Sequence, residues 1–218
     1  QLRVGGKVDR VDGWVKDGKL YIRVVDYKSG KKRFDLANVR MGLDIQMLLY
    51  LFALQKEGKQ YFSKEIEPAG VLYLPARDEI LSMDRNVTPE DLEKEREKML
   101  KRSGLLLDEP SIYHAMDTRG TGAFVPLSFS AKTGEPTAQS AKARLADREK
   151  FNRIRDHLDG MLTDMAKNLY SGEIDAAPLV PNAGKSPCLW CEYRTVCRHA
   201  DGEGERTPLK PDDPFGAE

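Results

Sequence analysis

Asp17-Gly18 stands between two runs rich in β-branched and aromatic residues, Val8–Val15 and Leu20–Lys28. Asp-Gly in that setting is the strongest short-range signal for a tight β-hairpin. A two-residue turn there pairs Lys16 with Lys19 and, continuing along the ladder, sets Asp9 directly opposite Asp26. Side chains alternate along a strand, so Val11, Ile22, Val24 and Lys28 share the face of the two carboxylates. Like charges opposed in a sheet repel, and burial makes each of them costlier. A divalent cation between them removes the conflict, and oxygen-only ligands suit Mg²⁺ or Mn²⁺ better than zinc. Lys28, two residues beyond Asp26, can then approach an attacking water and the phosphate it attacks. A surface hairpin with Asp9, Asp26 and Lys28 as an ordinary ion-pair cluster is the alternative, and the hairpin alone leaves both open. Asp12 falls on the other face with Arg10, Trp14, Arg23 and Tyr27, and reads as a solvated or packing residue.

The rest of the chain bounds what surrounds the hairpin. Leu43–Lys56 has the length and composition of a mostly buried helix, with Gly58 as its stop, while Phe34–Arg40 is ambiguous. Ala69–Leu74 reads as a buried strand ended by Pro75. Thr88-Pro89 opens a helix expected to run to about Arg102. Leu105–Pro136 is expected to be irregular with one or two short strands, and Ser140–Tyr170 a single long helix closed by Gly172. From Asp201 the composition predicts disorder. Lys+Arg and Asp+Glu both number 35, which excludes a uniformly basic nucleic-acid binder and leaves room for a local basic groove. The longest apolar run, Met47–Leu54, is far too short to span a bilayer. No signal peptide opens the chain, so a cytoplasmic protein without membrane association is expected. Gln1 in place of Met, ahead of a strand expected almost at once, reads as a fragment of a longer protein.

Gly6-Lys7-Val8-Asp9-Arg10-Val11-Asp12 followed by Val25-Asp26-Tyr27-Lys28-Ser29 resembles the PD-(D/E)XK signature of RecB-family nucleases, and Gln46-Met47-Leu48-Leu49-Tyr50 is similar to the Q-x-x-x-Y motif of the same family. Gln46 and Tyr50, at i and i+4, lie on one helix face. The likeness continues through Lys101–Leu106, Ala115–Asp117, the helix from Phe151 to Gly172 and Pro187–Cys197. Over that whole span the chain resembles the nuclease domain of the AddB (RexB) family, the B subunits of AddAB-type helicase–nucleases.

The resemblance implies an α/β fold with a restriction-endonuclease-like core: a mixed sheet with flanking helices over residues 1–180, a cysteine-rich iron–sulfur-type segment at 181–200 and a tail at 201–218. It implies that Asp9, Asp26 and the Tyr27 carbonyl hold the catalytic metal, that Lys28 activates the water, and that Gln46 and Tyr50 position these groups or the DNA. It also implies a further active-site helix and a fourth cluster cysteine ahead of Gln1. Cys188, Cys191 and Cys197 are an odd set that cannot pair completely as disulfides. Their spacing resembles three of the four thiolate ligands of a [4Fe–4S] cluster, expected in a longer protein and absent from this chain. His199 is a candidate substitute ligand. The implied function is a Mg²⁺-dependent DNA exonuclease module acting on single strands or ends, with an AddA-type partner protein, in double-strand-break processing. The alternatives are a non-catalytic DNA-end-binding or assembly module and a stand-alone RecB-like nuclease.

Overall fold

In the computed structural model, residues 3–30, 32–76, 86–180, 186–199, 203–208 and 213–216 are described. The hairpin forms in the expected register. Strands β1 (Arg10–Lys16) and β2 (Lys19–Lys28) pair antiparallel from Lys16↔Lys19 to Arg10↔Val25. Asp17 and Gly18 both adopt positive φ, as a type I′ turn requires. Two short helices, α1 (Leu36–Arg40) and α3 (Lys59–Phe62), flank the longer α2 (Gln46–Glu57), and together they carry the chain to β3 (Ile66–Pro75). β3 lies parallel to β2, as a helical crossover permits.

Ala69 is an extra residue in β3, because Ile22 pairs with Pro68 and Arg23 with Gly70. Gly70 takes φ 144° there, and a Cβ on it would lie 2.4 Å from the Leu105 carbonyl oxygen. The bulge is therefore tied to a glycine that lets β4 approach. Helix α4 (Pro89–Met99), capped by Thr88, leads into β4 (Ser103–Leu107), which is antiparallel to β3. Helix α5 (Pro110–Met116) follows within the stretch expected to be irregular.

The single long helix expected over Ser140–Tyr170 is two helices. Between α6 (Ala138–Arg144) and α7 (Arg148–Ser171), Leu145–Ala146 is extended as β5 and pairs parallel with Leu106 and Leu107. Both residues are buried, and Asp147 restarts the helix by accepting from the Lys150 N–H at 2.6 Å. Burial on the sheet edge overrides helical periodicity at those two positions. Helix α8 (Arg194–Cys197) is a single turn near the chain's end.

The sheet order β1-β2-β3-β4-β5 gives a mixed sheet with helices on both faces. One face packs Ile22, Val24, Val71, Tyr73 and Leu105 against α2 and α7. The other packs Val25, Leu72 and Leu106 against Tyr113, Val125 and Leu127. β2 and β3 are covered on both faces, so their sequences read as nearly continuous apolar runs. Asp213–Gly216 fall in the segment whose composition predicts disorder, yet Phe215 is 4% exposed within the α2/α7 core. One aromatic ring supplies enough apolar area to seat a short peptide. The remainder of 201–218 is described only at 203–208. Among the described residues no helix is long and apolar enough to cross a membrane.

Asp12 is half-buried between Arg10 Nε at 2.6 Å and Arg23 Nε at 2.8 Å. Burial disfavours its carboxylate, but hydrogen bonds from the two guanidinium groups outweigh that and hold its pKa below the usual carboxylate range. A carboxyl group whose pKa is lower folded than unfolded stabilises the fold above its unfolded pKa, and that contribution is lost as pH falls through the folded value. Between about pH 5 and pH 2.5, urea midpoints of the native chain should therefore fall more steeply than those of Asp12→Asn; parallel slopes would remove Asp12 from the acid response.

Candidate active site

β2 carries Asp26 and Lys28 on the face that packs against α2, at the strand end next to Tyr73 and Pro75 of β3. Asp26 is 9% exposed, and its Oδ2 lies 2.5 Å from Lys28 Nζ. That oxygen is fully buried and receives no aligned hydrogen bond, so its compensation is the charge of the ammonium. Lys28 Nζ also sits 5.6 Å from the centroid of the Tyr73 ring. The Tyr73 phenol is pushed well above its ordinary pKa, first by burial, then by the Asp44 and Asp26 carboxylates.

Asp9 differs from its expected place. The ladder ends at Arg10↔Val25, so Asp9 is one residue past it and is not a ladder partner of Asp26. Its Oδ2 accepts the Tyr27 N–H at 3.1 Å. Peeling Asp9 off the ladder avoids the like-charge opposition that continued pairing imposes, while leaving both carboxylates at the same end of the hairpin.

Gln46 and Tyr50 do come together: Gln46 Nε2 donates to the Tyr50 hydroxyl at 3.1 Å. The hydroxyl sits over Gly6, where a Cβ would lie 2.2 Å from it. The pair therefore braces the lead-in to Asp9. Asp12 is ion-paired on the opposite face, as its alternation implied.

Sequence reasoning missed Asp44. It has φ 57°, a conformation a non-glycine residue adopts only when its surroundings enforce it. Lys32 Nζ at 2.5 Å and Asn38 Nδ2 at 3.0 Å hold its carboxylate two residues ahead of Gln46. A left-handed aspartate between two helices carries no sequence signature.

Also missed was the cleft beside Lys28, about 690 Å³ in volume. Among the described residues its charged lining is seven cations against one carboxylate. Lys28, Lys32 and Arg33 follow from β2, Lys98, Lys101 and Arg102 from the end of α4, and Arg144 from α6; Glu95 is the acid among the described lining residues. Burial pulls the pKa of both Arg102 and Arg144 down. Arg144 donates to the Phe34 carbonyl at 2.8 Å. Arg102 donates to the Ala123 carbonyl and stacks 4.7 Å from the Phe124 ring centroid. Half-buried guanidinium groups held by carbonyls and a ring keep their charge available to an anion.

The donor set at the hairpin end fits a hard cation: a buried carboxylate oxygen without an aligned donor, with a second carboxylate nearby. Mg²⁺ commonly takes one or two carboxylates and completes its shell with water and substrate phosphate. Among the described residues no group of three or more His, Cys, Asp or Glu side chains is arranged around a metal position. A cation here therefore depends on such non-protein ligands and on backbone oxygen.

Among the described residues the three cysteines form no group that could hold a metal ion. Cys188 is half-buried, Cys191 and Cys197 are exposed, and all three are free. Cys188 lies in a 3₁₀ turn (Pro187–Trp190) and Cys197 at the end of α8. The His199 Nε2 atom is buried and without a hydrogen-bond partner. Three thiolates are one fewer than the four that a [4Fe–4S] cluster takes.

Comparison with known proteins gives the same direction. A family model described as the PD-(D/E)XK nuclease superfamily matches residues 1–198. The chain is 35% identical over 193 residues to the B subunit of the ATP-dependent helicase/deoxyribonuclease of Clostridium acetobutylicum, covering 88% of this chain and 16% of that protein. The B subunit of the same description from Clostridium tetani is 36% identical over 194 residues, covering 88% of this chain and 16% of its own length. That from a Thermoanaerobacter species is 35% identical over 201 residues, covering 91% of this chain and 17% of its own length. The chain thus spans about one sixth of the length of these relatives. A match that runs from the first residue through the cysteine segment makes this chain a member of the PD-(D/E)XK nuclease superfamily.

Proposed function

We propose that the chain is a metal-dependent deoxyribonuclease module that hydrolyses phosphodiester bonds in single strands or ends of DNA, as an exonuclease within a larger helicase–nuclease. The observation that carries this reading is the Asp26–Lys28 pair on the rim of a cleft lined, among the described residues, by seven cations and one carboxylate. Relatives described as B subunits of an ATP-dependent helicase/deoxyribonuclease support a helicase partner and a DNA substrate. An AddA-type partner and a role in break processing for recombination follow from the family resemblance of the sequence.

The chemistry divides among the residues by their charge and place. Asp26 and Asp9, with the Tyr27 carbonyl, would hold Mg²⁺ or Mn²⁺, which lowers the pKa of a water and offsets charge on the phosphate in the transition state. Lys28 Nζ, an ammonium with three donors, orients the attacking water and donates to a phosphate oxygen. Its contact with Asp26 keeps it at the reacting end of the strand. Gln46 and Tyr50 hold the lead-in bearing Asp9. Lys98, Lys101 and Arg102 along the cleft take the backbone of the strand, a sequence-independent contact whose strength falls with salt.

Two substitutions separate these roles in the longest protein that carries this module. Lys28→Ala should slow cleavage of labelled single-stranded DNA by about a hundredfold or more, yet keep the rise in melting temperature on adding Mg²⁺ or Mn²⁺, because an ammonium is not a ligand. Asp26→Asn should lose both. Wild-type cleavage by Lys28→Ala would sink the nuclease reading of this site.

The cleft is tested by salt. In Lys98→Gln/Lys101→Gln, the slope of log affinity for oligo(dT) against log salt should become shallower by about 1.4, roughly 0.7 per lost phosphate contact. An unchanged slope would move the strand path off the cleft.

A further inference from the structure

Residues 213–216, Asp-Pro-Phe-Gly, are met polar group by polar group on the α2/α7 side of the sheet. Asp213 Oδ1 accepts from Lys150 Nζ at 2.8 Å, and Lys150 itself is buried. The Pro214 carbonyl accepts from Arg40 Nη1 at 2.7 Å, and the Phe215 carbonyl from Arg153 Nε at 2.9 Å. The Phe215 N–H turns back to Asp213 Oδ1 at 3.3 Å. The Phe215 ring stands edge-on to His157, 5.4 Å between centroids, with the Arg40 guanidinium 5.9 Å away. His157 Nε2 lies 3.0 Å from the Arg40 carbonyl, which links α7 to α1 beneath the ring. Three cationic side chains from two helices thus converge on four residues of peptide.

We propose that the notch between α1 and α7 is a recognition site for an Asp-Pro-Phe peptide, and that the chain fills it in cis to fasten the returning end of its cysteine-bearing segment. The seat has the parts of a peptide receptor: an apolar pocket for one anchor side chain, a buried counter-ion for the acidic residue and donors for successive carbonyls. The proline pre-sets one backbone angle, which lowers the entropy lost on docking.

The segment it fastens presents apolar side chains to solvent. Leu189, Trp190, Tyr193 and Val196 are all at least half exposed. Its two limbs are tied at their base, where Val180 N donates to the Arg206 carbonyl and Arg206 N to the Pro178 carbonyl, both at 2.9 Å. Among the described residues beyond Arg206, Asp213–Phe215 attach the chain to α1 and α7. Burial disfavours the Asp213 carboxylate, but Lys150 and the Phe215 N–H outweigh it and keep the pKa below the usual range, so the charge pair persists at neutral pH. Because the ligand is tethered, its effective concentration is high and the seat stays occupied even when the free peptide binds weakly.

The test uses the whole 218-residue chain and a fluorescein-labelled synthetic peptide, Pro-Asp-Asp-Pro-Phe-Gly-Ala. The peptide should bind Phe215→Ala at least tenfold more tightly than the native chain, whose seat is filled, and a peptide with Ala in place of Phe should bind neither. A charge swap, read by mass spectrometry of chymotryptic cleavage after Phe215, gives a second readout that does not depend on the cavity left by Phe215→Ala. Asp213→Lys and Lys150→Asp should each raise the cleavage rate about tenfold, and the double variant should restore protection. Equal peptide binding by the native chain and Phe215→Ala, or no binding to either, would overturn the proposal. So would cleavage in the double variant as fast as in the singles.

Discussion

A carboxylate at the end of a strand covered on both faces has to be compensated from within the protein, and Asp26 is that carboxylate. It is 9% exposed, and Lys28 two residues along the same strand sits 2.5 Å away. Burying a charge without a partner costs several kcal/mol, so the pair is held close and on one face. The alternation of the strand makes this possible: one residue fewer or more between them would put the ammonium on the other face. The same burial governs the neighbours. Asp9 leaves the ladder before it would oppose Asp26, and Tyr73 is driven to stay a neutral phenol.

The two faces of the hairpin answer the burial of an acid differently. On one, Asp12 is gripped by two guanidinium groups and is electrostatically closed. On the other, Asp26 has one ammonium and an oxygen without an aligned donor, and is open to a further cation. The cleft completes the contrast. Charge sums to zero over the chain, yet six further cations line the cleft beside Lys28 among the described residues. Arg102 and Arg144 carry a desolvation penalty that a bound anion relieves.

What the sequence revealed is what local chemistry dictates. Asp17-Gly18 fixed the hairpin register, and with it the shared face of Asp26 and Lys28. The Thr88 cap and the Gln46/Tyr50 spacing were likewise local and legible. The features that were missed depend on distant partners. Leu145–Ala146 sits in a helical pattern but is extended because β4 offers it a buried edge. Lys32, Lys98 and Arg144 line one cleft although they are far apart in the sequence. Asp44 is held in a strained turn by Lys32 and Asn38. Phe215 lies in a polar, glycine- and proline-rich segment whose average composition hides one ring with a seat waiting on α7.

The proposed nuclease chemistry requires a divalent cation between Asp9 and Asp26 beside Lys28. Anomalous diffraction from crystals of the chain soaked in Mn²⁺ tests it most directly. An anomalous peak is expected within bonding distance of an oxygen of each carboxylate and of the Tyr27 carbonyl, with Lys28 Nζ outside the coordination shell. Crystals saturated with Mn²⁺ that show the peak elsewhere, or none at the hairpin end, would contradict it.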